Sequence, residues 1–196
     1  MTRRINPLVG VFLLAVVLGS AGFSQSRTVG KSSREVYTGT VIAIGARPGT
    51  NTRTFTLIID SYTSSQEAEE HIQKLKSEGQ SGLLKELSKV KRGVFQLDGS
   101  VGRDINIVLS SEGEENERKI TLIFERWLGF AELRRGARSV DYPFSYAELF
   151  IDDAKGRGEG TLFPAARLRV KGENTLDVEN FGVYPALLKG VARRKR

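Results

Sequence analysis

The chain contains no cysteine, one histidine, one tryptophan and five prolines among its 196 residues. Without cysteine, a disulfide-stapled small domain, thiol catalysis and thiolate-based metal sites are excluded. With one histidine, a zinc centre would need carboxylates for its remaining ligands, an unusual donor set for that metal. Apolar residues make up 39% and charged residues 27%, as in an ordinary globular domain, so collagen-like and wholly disordered chains are excluded as well.

Long apolar runs are scarce, and the clearest one lies near the start. Arg3 and Arg4 precede an apolar run from Leu8 to Leu18, and mostly small residues follow up to Ser24. A membrane-spanning helix needs about 20 apolar residues, so this run is too short for a permanent anchor. It predicts a secretory signal peptide at residues 1–24, although cleavage after Ala21 or Gly22 also fits. We therefore expect an exported protein, periplasmic or extracellular, with no permanent membrane span after cleavage.

The excess of positive charge lies mainly at the two ends of the chain. Basic residues outnumber acidic ones by 30 to 23, but two arginines belong to the leader and four bases form the tail at 193–196. The intervening sequence is close to neutral, which disfavours a dedicated nucleic-acid protein. We predict a flexible lead at 25–35, one β-rich domain at 36–192 and a basic tail. Nothing in the sequence indicates a cofactor.

The first part of the predicted domain has a hairpin followed by a helical segment. Val36–Ile44 and Thr54–Tyr62 alternate apolar and polar residues with the period of β-strands. From about 64 to 91 the period changes to that of a helix, with Ser64 and Glu67 as a capping box. The sequence Gly79–Gly82 predicts a break, and Glu70 with Lys74 predicts an ion pair one turn apart.

The rest of the chain consists of short strands separated by turn sequences. About eight or nine strands at hairpin spacing, with helix confined to one insertion after the second strand, exclude a regular βαβ series. We predict a mostly β (α+β) fold, an antiparallel meander that forms a barrel or strongly curved sheet. The helical segment would plug an end or cover an open edge. A two-layer α+β sandwich is the alternative.

The C-terminal half carries motifs that resemble a family of secreted bacterial proteins of unknown function. The motifs are Asp141-Tyr142-Pro143-Phe144, Gly158-Glu159-Gly160, Pro164-Ala165-Ala166, and Phe181-Gly182 with Pro185. The resemblance implies export and a single domain, and it transfers no functional residues.

Groups that could carry catalysis or bind a metal all have simpler interpretations. His71 lies beside Ile72 in the helical segment, which favours a partly exposed helix residue over a catalytic base. Asp152 and Asp153 are adjacent, so they point to opposite faces of a strand and are typical of a turn. The acidic run from Glu112 to Glu117 lacks the spacing of a calcium loop, and the glycines at 156, 158 and 160 indicate close packing. We assign no catalytic residue and no metal ligand.

Two groups of residues remain as weak binding candidates. The aromatic residues Tyr142, Phe144, Tyr146 and Phe150 recur at period two and are candidates to line a ligand site. The basic residues Arg167, Arg169 and Lys171 share one strand face and are candidates to meet an acidic envelope component.

Three functions compete on this basis. The first is a non-catalytic exported module whose curved sheet holds a small apolar or amphiphilic ligand. The second is an envelope interaction protein that acts through the basic strand and the tail. The third, and weakest, is a hydrolase that depends on carboxylates.

Overall fold

The structure is a computed structural model that describes residues 34–43, 51–98, 100–113, 117–126, 141–172, 175–181 and 185–194. The predicted signal peptide and most of the predicted lead lie outside these residues. Ten strands and one helix occur in the described part of the chain. In chain order they are β1 Glu35–Ala43, β2 Asn51–Ile59, α1 Ser65–Leu87, β3 Gly93–Leu97, β4 Arg103–Ile105, β5 Ile107–Glu112, β6 Glu117–Glu125, β7 Phe144–Asp152, β8 Arg157–Lys171, β9 Thr175–Asn180 and β10 Ala186–Arg193.

The strands form one antiparallel sheet that curls into a nearly closed barrel, as predicted. Nine strands follow the order β4-β3-β2-β1-β10-β8-β7-β6-β5, and β9 pairs with the distal part of β8. The two ends of this path, β4 and β5, are consecutive in the chain and are separated only by Asn106. The barrel therefore closes along a single strand that changes partner at Asn106. All ten strands belong to one sheet, which decides against the two-layer sandwich.

Apolar side chains fill the interior of the barrel. Phe95 stacks between Phe55 and Phe124, with ring centroids 5.3 Å and 5.7 Å apart. Phe55, Leu57 and Ile59 point inward from β2, as its alternation predicts. Burial of an apolar side chain of this size stabilises the fold by about 1.5–3 kcal/mol, so this cluster is the main core.

Helix α1 begins at the predicted capping box and bends at the predicted break. Ser64 accepts a hydrogen bond from the backbone of Glu67, and the Glu67 carboxylate accepts one from the backbone of Ser64. Gly79 has φ 67° and ψ −162°, which a residue without Cβ adopts at little cost. The predicted ion pair between Glu70 and Lys74 is wrong. Lys74 instead contacts the carboxylate one turn onward at Glu78, at 2.5 Å.

The helix lies along the outer face of the barrel, where it covers the end strand β5 and neighbouring strands, rather than plugging an end of the barrel. Its apolar stripe packs on residues of β5, β6, β7 and β8 whose side chains point away from the interior, forming a second core cluster. Leu75, Leu83 and Leu87 are the buried leucines of this stripe. Within the described residues, no helix has the length and apolar character needed to traverse a membrane.

Candidate functional site

A crevice of about 180 Å³ lies between α1 and the outer face of the barrel. We call it the helix crevice. Apolar side chains from both sides form most of its wall; they are Ala68, Ile72, Leu75 and Leu83 from the helix and Ile107, Leu109, Ile123, Leu168 and Leu176 from the strands. The space is close to the roughly 150 Å³ of an apolar cavity that accepts benzene, so it suits a single ring or a short alkyl chain.

Two polar anchors fix the helix over this space. At the bend after Gly79, the side-chain amide of Gln80 donates to the Leu168 carbonyl and accepts from the Leu168 backbone N–H. At the end of the helix, the buried Asn106 amide donates to the carbonyls of Leu87 and Val90, at 2.9 and 2.7 Å. Gln80 ties the helix to the backbone of β8, and Asn106 ties a barrel side chain to the backbone at the end of the helix, so the width of the helix crevice is set by the fold.

Two residues of the crevice wall, Lys119 and Tyr146, contact the carboxylate of Glu148, which is not itself part of the wall. Its carboxylate lies 2.6 Å from the ammonium of Lys119 and accepts the Tyr146 hydroxyl proton at 2.5 Å. The side chains of Lys119 and Glu148 are only 14% and 10% exposed. Burial, with the neighbouring carboxylate, raises the pKa of Tyr146 above its ordinary value, so this phenol stays protonated at neutral pH.

A second polar pair stands on the helix side. His71, which lines the helix crevice, places Nδ1 2.7 Å from a carboxylate oxygen of Glu86. The histidine side chain is 10% exposed and that of Glu86 is 34% exposed. His71 is thus held by a partner across the bend of α1, more buried than the partly exposed helix residue that the sequence suggested.

The four predicted aromatic residues fall into two groups. Phe144 and Tyr146 are buried on the face of β7 beneath α1, and Tyr146 lines the helix crevice. Phe150 shares that face near the far end of β7, with the Lys119 ammonium 5.8 Å from its ring centroid. Tyr142 precedes the strand and packs edge-on against Phe181, at 5.1 Å between centroids. The structure therefore brings one of the four, Tyr146, to the helix crevice.

The predicted basic strand face is matched by acidic residues on its neighbour. In the pairing of β8 with β9, Arg167 lies opposite Glu179 and Arg169 lies opposite Asp177. Arg169 contacts the Glu179 carboxylate at 2.6 Å, while Lys171 lies opposite Thr175 and is exposed. Much of the positive charge of this face is thus compensated within the same hairpin, which weakens it as a surface for an acidic partner.

A separate polar cluster closes one end of the barrel. The start of β1, the start of β6, the end of β10 and the segment after β2 meet there, and the cluster comprises Glu35, Tyr37, Tyr62, Arg118, Asp153 and Arg193. We call it the end cluster. Arg118 donates at 2.7 Å to the hydroxyls of both Tyr37 and Tyr62, and reaches Glu35 at 3.0 Å. The guanidinium therefore bridges strands on opposite sides of the barrel.

Burial and charge tune the groups of the end cluster in a consistent way. Burial alone would raise the pKa of Glu35, but hydrogen bonds from Arg118 and Tyr37 and the charges of Arg118 and Arg193 outweigh it and lower that pKa. Burial raises the pKa of Tyr62 to about 12, with the Glu35 charge adding to the effect. The carboxylate is thus ionised and the phenols are neutral at pH 7, as a stable mutual pairing requires.

The other sequence candidates have structural roles where they are described. Asp152 accepts two backbone hydrogen bonds in the β7–β8 turn, from Ala154 and Lys155, and Asp153 contacts Arg118. A Cβ on Gly160 would lie 2.0 Å from a backbone oxygen of β7, so close packing explains this glycine. Glu114 and Glu115 of the acidic run lie outside the described residues. Across the described ranges, no group of three acidic or histidine side chains is placed to hold a metal ion.

Lys119 and Thr121 line the helix crevice and Glu148 pairs with Lys119, but the sequence predicted none of the three as site residues. A signal for them existed, because Glu148 interrupts the aromatic face of a strand whose neighbours on that face are Tyr146 and Phe150. Thr121 lies directly opposite Glu148 in the pairing of β6 with β7. Their convergence on α1 could not be predicted, since it depends on which face of the sheet the helix covers.

Comparisons with protein-family models, with curated proteins and with solved structures give no match for this chain. Membership of the family that the C-terminal motifs resemble therefore stays a prediction.

Proposed function

We propose that this protein is a non-catalytic module that binds a small apolar or amphiphilic ligand in the helix crevice. The observation that carries the proposal is an apolar space of about 180 Å³ with polar side chains grouped on its walls. Binding sites for small molecules share this design, in which apolar walls supply affinity and a few fixed polar groups orient the ligand.

The location differs from the one that a hollow barrel would give. The interior positions are taken by the Phe55–Phe95–Phe124 stack and the aliphatic residues around it, whereas the space under α1 is bounded by the second core cluster. A curved sheet still serves the function, because its convex outer surface curves away from the helix that packs on it and leaves room between them. The bend at Gly79 and the Gln80 anchor hold that separation.

The polar groups of the helix crevice favour binding over chemistry. Glu148 is engaged by Lys119 and by Tyr146, and His71 is engaged by Glu86. A general base needs a free lone pair aimed at the substrate, and the contacts with Lys119 and Tyr146 occupy the Glu148 carboxylate. Export of the protein is a further part of the proposal and is based on the predicted signal peptide at 1–24.

Native mass spectrometry tests the proposal directly. The full-length gene is expressed, and the protein is purified from the exported fraction without detergent. We expect an added mass that survives gentle ionisation and disappears on denaturation. A bare polypeptide mass under several growth conditions, together with no binding of short-chain probes, would contradict the proposal.

A matched pair of variants places the bound molecule. Ala68→Leu places a leucine side chain in the wall of the helix crevice and fills part of its space. Gln73→Leu places the same side chain on the exposed face of the same helix. We expect Ala68→Leu to lose the added mass and Gln73→Leu to keep it. Equal retention by both variants would place the ligand elsewhere.

A further inference from the structure

The charges around the helix crevice restrict the kind of head group that a ligand can carry. We propose that the helix crevice selects amphiphiles with an uncharged hydroxyl head group over those with a carboxylate or an ammonium head group. This inference rests on the proposed function, and it concerns the polar end of the ligand.

The cation of the helix crevice is already neutralised. Lys119 is the lysine that lines it, and its ammonium lies 2.6 Å from the Glu148 carboxylate and 5.8 Å from the centre of the Phe150 ring. Both members of the ion pair are largely withdrawn from water, at 14% and 10% exposure. A ligand carboxylate would have to displace Glu148 or enter beside it, and either choice leaves one buried anion without a counter-charge, which is costly.

The opposite wall adds no unpaired positive charge, because its histidine is already engaged by a carboxylate. A carboxylate oxygen of Glu86 lies 2.7 Å from Nδ1 of His71. In the described part of the chain, the ionisable residues that line the helix crevice are Lys119 on the barrel side and His71 on the helix side, and their partners are Glu148 and Glu86. A carboxylate head group gains no attraction from this set, and an ammonium head group would have to compete for carboxylates that already have partners.

Hydroxyl groups, by contrast, are plentiful around the same space. The hydroxyl-bearing residues Thr63, Ser65, Ser111 and Thr121 are among those that line the helix crevice. A hydroxyl both donates and accepts, so a ligand hydroxyl exchanges hydrogen bonds with these residues without disturbing either ion pair. Its transfer from water also costs far less than the transfer of an ion.

Three probes that share one alkyl chain separate the head-group effect from binding of the chain. 1-Octanol, octanoate and octylamine are titrated at pH 7 into the detergent-free protein, and binding is followed by the methyl NMR signals of Ile72, Leu75 and Leu83. We expect 1-octanol to bind at least about tenfold more tightly than either ion. Octanoate or octylamine binding as tightly as 1-octanol would overturn the head-group inference while leaving the proposed function intact. Binding of none of the three would count against the proposed function itself.

Removing the carboxylate that neutralises Lys119 should reverse the preference. In Glu148→Gln the ammonium keeps a hydrogen-bond partner of nearly the same shape but loses its counter-charge. We expect octanoate to gain about tenfold in affinity, while 1-octanol changes by less than about threefold. Asp104→Asn, at an exposed carboxylate on β4 that pairs with Lys91, is the control and should change neither. If Glu148→Gln leaves the ratio of octanoate to 1-octanol affinity as it is in the unmodified protein, the ion pair does not set the preference. Should that variant not fold, the three-probe comparison on the unmodified protein still decides.

Discussion

Replacing Arg118 by methionine should destabilise the protein far more than the same change at an exposed arginine. Arg118 is 19% exposed and donates hydrogen bonds to Tyr37, Tyr62, Glu35 and Asp153. Leaving one member of a buried ion pair alone costs about 3–5 kcal/mol. Glu35 keeps hydrogen bonds from both tyrosines and is 11% exposed, so we expect a loss of about 2–3 kcal/mol in the free energy of unfolding.

Urea or guanidinium unfolding, followed by circular dichroism, measures this loss. The matched control is Arg169→Met, since Arg169 and its partner Glu179 are 52% and 38% exposed and an exposed pair contributes at most about 1 kcal/mol. In a double-mutant cycle with Glu35→Gln we expect a coupling of about 1–3 kcal/mol. Equal losses for the two arginine variants would refute the argument that the end cluster is shielded from water.

The same cluster predicts how stability depends on acid. Glu35 has a folded-state pKa below its ordinary 4.5, so its contribution is fully present above that unfolded-state value and is lost as the pH falls through the lower folded-state pKa. We expect the unmodified protein to lose stability more steeply below about pH 4.5 than Glu35→Gln does. Parallel curves of unfolding free energy against pH would contradict the lowered pKa.

Three further changes test the packing of the fold. Asn106→Leu leaves the carbonyls of Leu87 and Val90 without their donor, and it should lower the free energy of unfolding, measured with a denaturant, by about 2–4 kcal/mol. A loss under about 1 kcal/mol would mean that water replaces the amide. Gly160→Ala places a Cβ 2.0 Å from a backbone oxygen and should lower the free energy of unfolding by more than about 2 kcal/mol. The control is Gly172→Ala, where φ is +68° and the space is open, and it should cost about 1 kcal/mol. Equal losses for the two variants would contradict the packing argument. Ser64→Ala removes the helix cap and should lower the stability by about 1 kcal/mol, measured as a lower melting temperature. An unchanged melting temperature would show that the cap is dispensable.

Local chemistry in the sequence determined the elements of this protein. The alternation from Phe55 to Ile59 predicted an inward-facing strand, and Ser64 with Glu67 predicted the start of the helix, because each signal depends on residues a few positions apart. The glycines that predicted the break gave the bend at Gly79 for the same reason. The repeated hairpins predicted an antiparallel barrel, since short connections leave a chain little choice but to pair neighbouring strands.

Tertiary structure alone decided where the candidate site lies. Sequence periodicity places Tyr146 and Glu148 on one face of β7, but it does not say whether that face points into the barrel or toward a helix. It therefore could not predict that Lys119 and Glu148 would meet beneath α1 at 2.6 Å, or that β9 would set Asp177 and Glu179 against the basic face of β8. Those contacts join residues far apart in the chain, and their energies depend on which surfaces the closed barrel leaves for the helix to cover.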